Sequence, residues 1–183
     1  MTIQTDRLFL RHWREEDAEA LFRWARDPEV GPVAGWPAHR SVEESRDIIR
    51  TVLNAPEAYA ICRKEDGLPI GTGELKPAGR SDIAQGDDEC ELGFWIARPC
   101  WGQGLMTEAA QALIERAFTD LHMSKVWCAY YAGNDRSRRV QEKCGFRYQW
   151  TSCDLDVPLL GERRTGIVNC MTREEWEAGR GKE

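Results

Sequence analysis

The run Trp101-Gly102-Gln103-Gly104-Leu105-Met106-Thr107-Glu108-Ala109-Ala110 constrains this chain more than any other feature, because it is a glycine turn that follows a strand and enters a helix. Two glycines permit a tight turn and close backbone approach to a ligand. The first N–H groups of the helix lack carbonyl partners and lie at the positive end of its dipole, so the segment suits a pyrophosphate. A dinucleotide turn requires a third glycine, where this chain has Thr107, and a preceding βαβ unit, which is missing here. A nucleoside-triphosphate loop requires Gly-Lys-Ser/Thr, but Gly104 is followed by Leu105-Met106. The plain alternative is a glycine turn capping an ordinary core helix, and the order of the surrounding elements decides.

That order is read from periodicity and punctuation. Residues 5 to 13 alternate Leu8 and Leu10 against Arg7 and Arg11 and predict a strand. A helix follows over 15 to 26, with Ala18, Leu21, Phe22 and Ala25 on one face, and Asp27-Pro28 ends it. Residues 31 to 37 are too rich in glycine and proline for regular structure and read as a loop. Ser41-Val42-Glu43-Glu44 is a capping box that opens a helix to about Leu53. Strands over 58 to 63 and 69 to 76 join through Asp66-Gly67, a hairpin signal. Residues 89 to 97 form a strand containing Gly93, which marks a bulge or a close backbone approach. After the glycine turn come a helix over 104 to 120 and a strand over 125 to 131. A helix over 134 to 144 is then stopped by Gly145-Phe146. A final hairpin pairs 146 to 155 with 164 to 171, and a helical turn begins at Thr172. The fold class is therefore α/β or α+β, with a mixed sheet and no linker or internal repeat, in one domain spanning 1–183.

Two motifs in this order carry a resemblance. Trp101-Gly102-Gln103-Gly104-Leu105-Met106 resembles the acyl-CoA pyrophosphate loop Q/R-x-x-G-x-G/A of the GNAT N-acetyltransferases. In the ribosomal-protein N-terminal acetyltransferase-like branch that loop reads W-G-x-G-x-A-x-E-A, which accommodates Trp101 but leaves Met106 irregular. The segment Asn134 to Phe146 resembles the same branch's N-x-x-S-x-x-x-x-E-K-x-G-F. The resemblance covers residues 5 to 171 and implies transfer of an acetyl group from acetyl-CoA to a primary amine, by direct attack in a ternary complex. A non-catalytic acyl-CoA-binding sensor or scaffold module is the other reading.

The resemblance also assigns roles. A bulge at Gly93 would splay its strand from the one at 125 to 131 and open a slot for pantetheine, with backbone groups of Phe94, Trp95 and Ile96 pairing with the cofactor's amides. Trp101, Gly102, Gln103, Gly104, Leu105, Met106 and Thr107 would hold the pyrophosphate. Asn134 is an N-cap by its residue type and by resemblance a pantetheine contact. Ser137 would meet the leaving thiolate as acid or hydrogen-bond partner. Arg138, Arg139 and Lys143 would meet the ribose 3′-phosphate, or form a solvated basic face. Deprotonation of the amine, through a water, falls to Glu91 or Glu74; a solvated strand carboxylate is the alternative for each. Trp36, in its Gly/Pro loop, and Tyr130 are the candidate acceptor contacts; a loop tryptophan that folds back to staple the core is the alternative for Trp36.

Composition sets the remaining bounds. A net charge of −6 argues against a nucleic-acid binder. No apolar run approaches the ~20 residues a membrane span needs. With no secretory leader evident, a cytoplasmic enzyme is expected, acting as monomer or homodimer. Seven scattered cysteines, never spaced C-x-x-C, read as reduced core thiols. Three histidines in separate segments give no ligand spacing, so no metal is expected.

Overall fold

The structure, a computed structural model, describes residues 2–180. Its strands are β1 (Thr2–Gln4), β2 (Leu8–Arg11), β3 (Ala58–Arg63), β4 (Pro69–Pro77), β5 (Glu89–Ile96), β6 (Lys125–Tyr131), β7 (Arg147–Val157) and β8 (Glu162–Thr172). They form one eight-stranded sheet in the order β1-β2-β3-β4-β5-β6-β8-β7. Every neighbouring pair is antiparallel except β5 and β6. The helices are α1 (Ala18–Ala25), α2 (Gly31–Ala34), α3 (Val42–Thr51), α4 (Leu105–Thr119), α5 (Asp135–Cys144) and α6 (Arg173–Arg180).

Directly paired residues of an antiparallel ladder share a face, so the β4–β5 register assigns both sides of the sheet. Thr72, Glu74 and Lys76 face forward with Trp95, Gly93 and Glu91. Leu75, Leu92 and Ile96 face back, where the buried residues of α4, among them Met106, Ala110, Leu113 and Ala117, complete the main core. The helix comes close enough that a Cβ at Gly73 would lie 2.5 Å from a Leu113 methyl. In front, α1 and α3 cover β2 to β4 through Leu21, Ala25 and Ile49, with Leu53 just past the end of α3. Beyond β4, among the described residues, that face has no helix of comparable length.

The pairing of β5 with β6 is short. It runs from Glu89↔Lys125 to Glu91↔Trp127, after which β5 stays with β4 and β6 stays with β8. The two strands thus fork. The expected bulge at Gly93 is not what parts them, because the β4–β5 register is unbroken from Pro77↔Cys90 to Gly71↔Ile96. A parallel pair needs no bulge to separate once each strand is held by an antiparallel neighbour on its other side. The last bridge across the fork is Cys128 Sγ, 3.1 Å from the Leu92 carbonyl.

The closed end of the fork is pinned by Glu89, which accepts from Lys125 Nζ and Trp127 Nε1, both at 2.8 Å. Burial opposes its ionisation, but hydrogen bonds from Lys125, Trp127 and backbone N–H groups outweigh that effect and hold the carboxyl at about 2. A folded-state value below the unfolded one gives stability that is present above the unfolded pKa, near 4.3, and lost as pH falls through about 2. Glu89→Gln is therefore expected to lower the melting temperature most above pH 5. The gap from wild type should close toward pH 2, and a gap of constant size would show that the charge does not pin the fork.

Other departures from the sequence reading have local causes. Residues 31 to 34 form a one-turn helix where a loop was expected: Pro32 lies in its first turn and Gly35 stops it. The same residue types that break long elements bound this short one. The first strand is Leu8–Arg11 rather than 5 to 13, since Thr5 turns the chain by accepting at Oγ1 from Leu8 N–H, and β1 precedes it. At the C-terminal end a full helix, α6, replaces the expected turn and packs Trp176 on Phe118, ring centroids 5.2 Å apart. Of the seven thiols, Cys153 is exposed and Cys144 half-buried.

Candidate active site

A cavity of about 320 Å³ lies at the open end of the fork. Its walls are the end of β5 (Phe94, Trp95, Ile96), the glycine turn, the first two turns of α5, and residues 29 to 34 around α2. Of the residues the sequence assigns to a cofactor, Phe94, Trp95, Ile96, Trp101, Gly102, Gly104, Met106, Thr107, Asn134 and Lys143 line this one space, together with Ser137. Gln103 and Leu105 do not. Gln103 is exposed and its side chain donates to Pro99 O at 2.8 Å, while Leu105 turns into the core.

The turn is built to present backbone donors. Gly102 and Gly104 have φ of +74° and +77°, conformations that L side chains rarely adopt. The first backbone bond of α4 is Glu108 N to Gly104 O at 3.0 Å, and no side chain caps the helix. The N–H groups of Leu105, Met106 and Thr107 are therefore without helical partners at the positive end of a 15-residue helix. Arg136, Arg139 and Lys143 add cationic side chains to the wall. Donors, dipole and cations together fit a diphosphate.

Trp101 closes the end of the fork. Its indole donates to Ile96 O at 2.9 Å, and the Arg136 guanidinium sits 3.7 Å from the ring centroid. This takes the Ile96 carbonyl, one of the groups expected to pair with pantetheine, and leaves the forked edge near Phe94 and Trp95. Arg136 went unnoticed in the sequence because a cation two residues past an N-cap carries no signal of its own. Arg138, by contrast, is occupied with Asp135 and Glu142 at 3.2 and 2.9 Å, as on a solvated helix face.

Asn134 caps α5 as its residue type foretold, accepting from Ser137 N–H at 3.2 Å. Ser137 Oγ accepts from Gln141 Nε2 at 3.2 Å, and Gln141 Oε1 accepts from Asn169 Nδ2 at 2.7 Å. The two candidate bases lie elsewhere. Glu91 and Glu74 share the front face, outside the cavity lining. Glu91 is engaged at both oxygens, by Lys76 Nζ at 3.4 Å and by Ser81 Oγ at 2.8 Å. Arg80 approaches Glu74 Oε1 to 2.8 Å, but outside hydrogen-bonding geometry, and that buried oxygen has no hydrogen-bond partner.

The acceptor side differs from expectation in two respects. Tyr130 turns to the back of the sheet, the side of α4, because it shares parity with the core residues Val126 and Cys128. The tyrosine on the front face is Tyr131, which packs on Gly35 and under the Arg164 guanidinium, 5.2 Å from its ring. Trp36 is half-buried rather than free in a loop. It lies on Gly31, where a Cβ would come within 2.5 Å of the indole, and against Trp95 with centroids 5.6 Å apart. Since Trp95 lines the cavity, Trp36 couples α2 to the fork.

Trp36→Ala is accordingly expected to raise the acceptor KM, and to cost roughly 2 kcal/mol of stability, less than the ~3–5 kcal/mol of a fully buried tryptophan. Steady-state kinetics and calorimetric titration with acetyl-CoA measure both sides. Weakened acetyl-CoA binding with an unchanged acceptor KM would place Trp36 on the cofactor side alone.

The model of the family described as acetyltransferase (GNAT) domain matches residues 7–147. The chain belongs to the GNAT acetyltransferase family. It is 29% identical over 151 residues to the uncharacterized N-acetyltransferase p20 of Bacillus licheniformis, covering 80% of this chain and 82% of that one. A GNAT-family acetyltransferase from Bacillus anthracis shares the fold with a TM-score of 0.83 at 20% identity, over 96% of this chain and 100% of that one. The structure of AAC(6')-Ib in complex with ribostamycin and coenzyme A has a TM-score of 0.76 at 21% identity, over 97% and 100%. The enzyme is thus an N-acetyltransferase of a family that draws its acetyl group from acetyl-CoA. Among the described residues no helix of this GNAT enzyme is long and apolar enough to cross a membrane.

Proposed function

We propose that this GNAT enzyme, acting as one domain over residues 1–183, transfers the acetyl group of acetyl-CoA to the primary amine of a small molecule or of a peptide N-terminus. One observation carries the reading: a single cavity joins the free N–H groups of the α4 turn, the forked edge of β5 and the start of α5. The diphosphate belongs at Gly102 to Thr107, with Arg136, Arg139 and Lys143 around it. Pantetheine then follows the unpaired edge at Phe94 and Trp95, much as a strand adds to a sheet. The thioester reaches the fork between Trp95 and Ser137.

The amine approaches from the front face, past Trp95, and its nitrogen attacks the carbonyl carbon. The C–S bond breaks with its electron pair on sulfur, where the Ser137 hydroxyl donates a hydrogen bond to the thiolate. The proton lost by nitrogen leaves through water toward Glu74 or Glu91, and a proton taken up by sulfur completes the exchange. Glu74 Oε1 makes no hydrogen bond but lies 2.8 Å from the Arg80 guanidinium, and Glu91 is hydrogen-bonded at both oxygens, so each would exchange a present partner for the water that brings the proton. Holding both reactants in one geometry supplies a large part of the acceleration.

The test is thiol release from acetyl-CoA in the presence of amines and N-terminal peptides. Turnover dependent on an amine is expected, together with a rise in melting temperature on adding acetyl-CoA but not NAD or ATP. No release with any acceptor, despite binding, would replace the enzyme reading of the site with that of an acyl-CoA-binding module. The pH profiles of Glu74→Gln and Glu91→Gln identify the base, which is the residue whose loss slows the reaction most at low pH.

A further inference from the structure

Gln141 is 1% exposed on the face of α5 that packs against the sheet, where its neighbours Val140 and Cys144 meet the main core. An apolar side chain would fill such a position without the desolvation a buried amide suffers. Both ends of this amide are nevertheless spent in one direction. Asn169, 8% exposed on β8 opposite Cys128, donates to Gln141 Oε1 at 2.7 Å, and Gln141 Nε2 donates to Ser137 Oγ at 3.2 Å. A serine hydroxyl has one proton and two lone pairs. With one lone pair taken by an N–H, its proton is left to point elsewhere, and among the described residues Ser137 Oγ donates to none. The usual alternative in a helix is the carbonyl four residues back, but Gly133 precedes the Asn134 cap and lies outside the helix, and Ser137 Oγ makes no bond to its oxygen. The remaining direction is the cavity that Ser137 lines.

We propose that Gln141 and Asn169 are positioning residues that fix the polarity of the Ser137 hydroxyl, turning its proton into the cavity toward the leaving sulfur. The inference rests on the reading of Ser137 as the thiolate's hydrogen-bond partner. Aligned donors polarise one another, so the chain Asn169 to Gln141 to Ser137 also strengthens the last hydroxyl as a donor.

Reversing the chain tests it. In Gln141→Glu the new carboxylate can only accept: it keeps the bond from Asn169 but takes the Ser137 proton for itself. In Asn169→Asp the carboxylate draws the Gln141 N–H toward β8 and rotates its oxygen toward Ser137, again reversing the last bond. Each variant is expected to lose as much kcat as Ser137→Ala, with the KM for acetyl-CoA and for the amine unchanged. In the Ser137→Ala background neither should lower kcat further, an outcome that general loosening of α5 does not produce. Gln141→Met is neutral and of similar length, and serves if a charged variant does not fold; it should lower kcat only while Ser137 is present. A folded variant with wild-type kcat, or one whose loss adds fully to that of Ser137→Ala, overturns the proposal. Wild-type kcat in Ser137→Ala itself would instead remove the role assigned to Ser137, and the chain's function with it, while leaving acetyl transfer in place.

Discussion

Replacing Gly104 by valine is expected to abolish the thermal stabilisation by acetyl-CoA. The protein itself offers little obstruction, since a Cβ at this position would meet only Arg7 Nη2, at 3.6 Å. The difficulty lies in the backbone. At φ of +77° a β-branched residue carries roughly 1–3 kcal/mol of strain. Relieving it rotates the peptide that leads into α4 and turns the N–H groups of Leu105, Met106 and Thr107 away from the diphosphate. That strain alone corresponds to about a 5- to 150-fold loss of affinity, and a side chain in the path of the phosphates adds to it. Asparagine tolerates the left-handed region better than other non-glycine residues, so Gly104→Asn should retain more binding than Gly104→Val. Equal stabilisation of the valine variant and the wild type by acetyl-CoA would disprove the assignment of the diphosphate to this turn.

The same turn shows why some of the site was legible in the sequence and some was not. Gly102, Gly104 and the Asn134 cap declare themselves because their roles are backbone roles, set by residues within four positions along the chain. The shared face of Glu74, Glu91 and Trp95 follows from the unbroken register of β4 with β5, which a bulge at Gly93 would have shifted. What failed depended on partners far away in sequence. Tyr130 and Tyr131 are adjacent and chemically alike, and only the pairing of β6 with β8 decides which one meets α2. Trp36 reads as a loop residue that meets the acceptor or folds back on the core, and only the fold brings Trp95 against it. The Ser137, Gln141 and Asn169 chain joins α5 to a β8 residue 28 positions beyond Gln141, with no periodic signature in either segment. The bulge at Gly93 was a local cause supplied for a fork that arises from competition between neighbouring strands.

Ser137→Ala is expected to lower kcat by roughly 10- to 100-fold while leaving acetyl-CoA affinity nearly unchanged. The magnitude follows from the loss of one hydrogen bond to a charged group, worth about 1.5–3 kcal/mol, at about 1.4 kcal/mol per tenfold in rate. The substitution leaves the start of α5 in place, because alanine keeps the backbone N–H that Asn134 Oδ1 accepts. It does orphan the Gln141 Nε2 donor, which is buried, so a fall in melting temperature is expected and the kinetics are to be compared well below it. The bond matters only as charge gathers on sulfur, so its loss appears in kcat rather than in ground-state binding. An acetyl thioester with a more acidic thiol needs that stabilisation less, and the penalty of the variant should shrink with it. A penalty independent of the leaving group, or one that appears as weakened acetyl-CoA binding, would make Ser137 a contact to the bound cofactor and not to the departing thiolate.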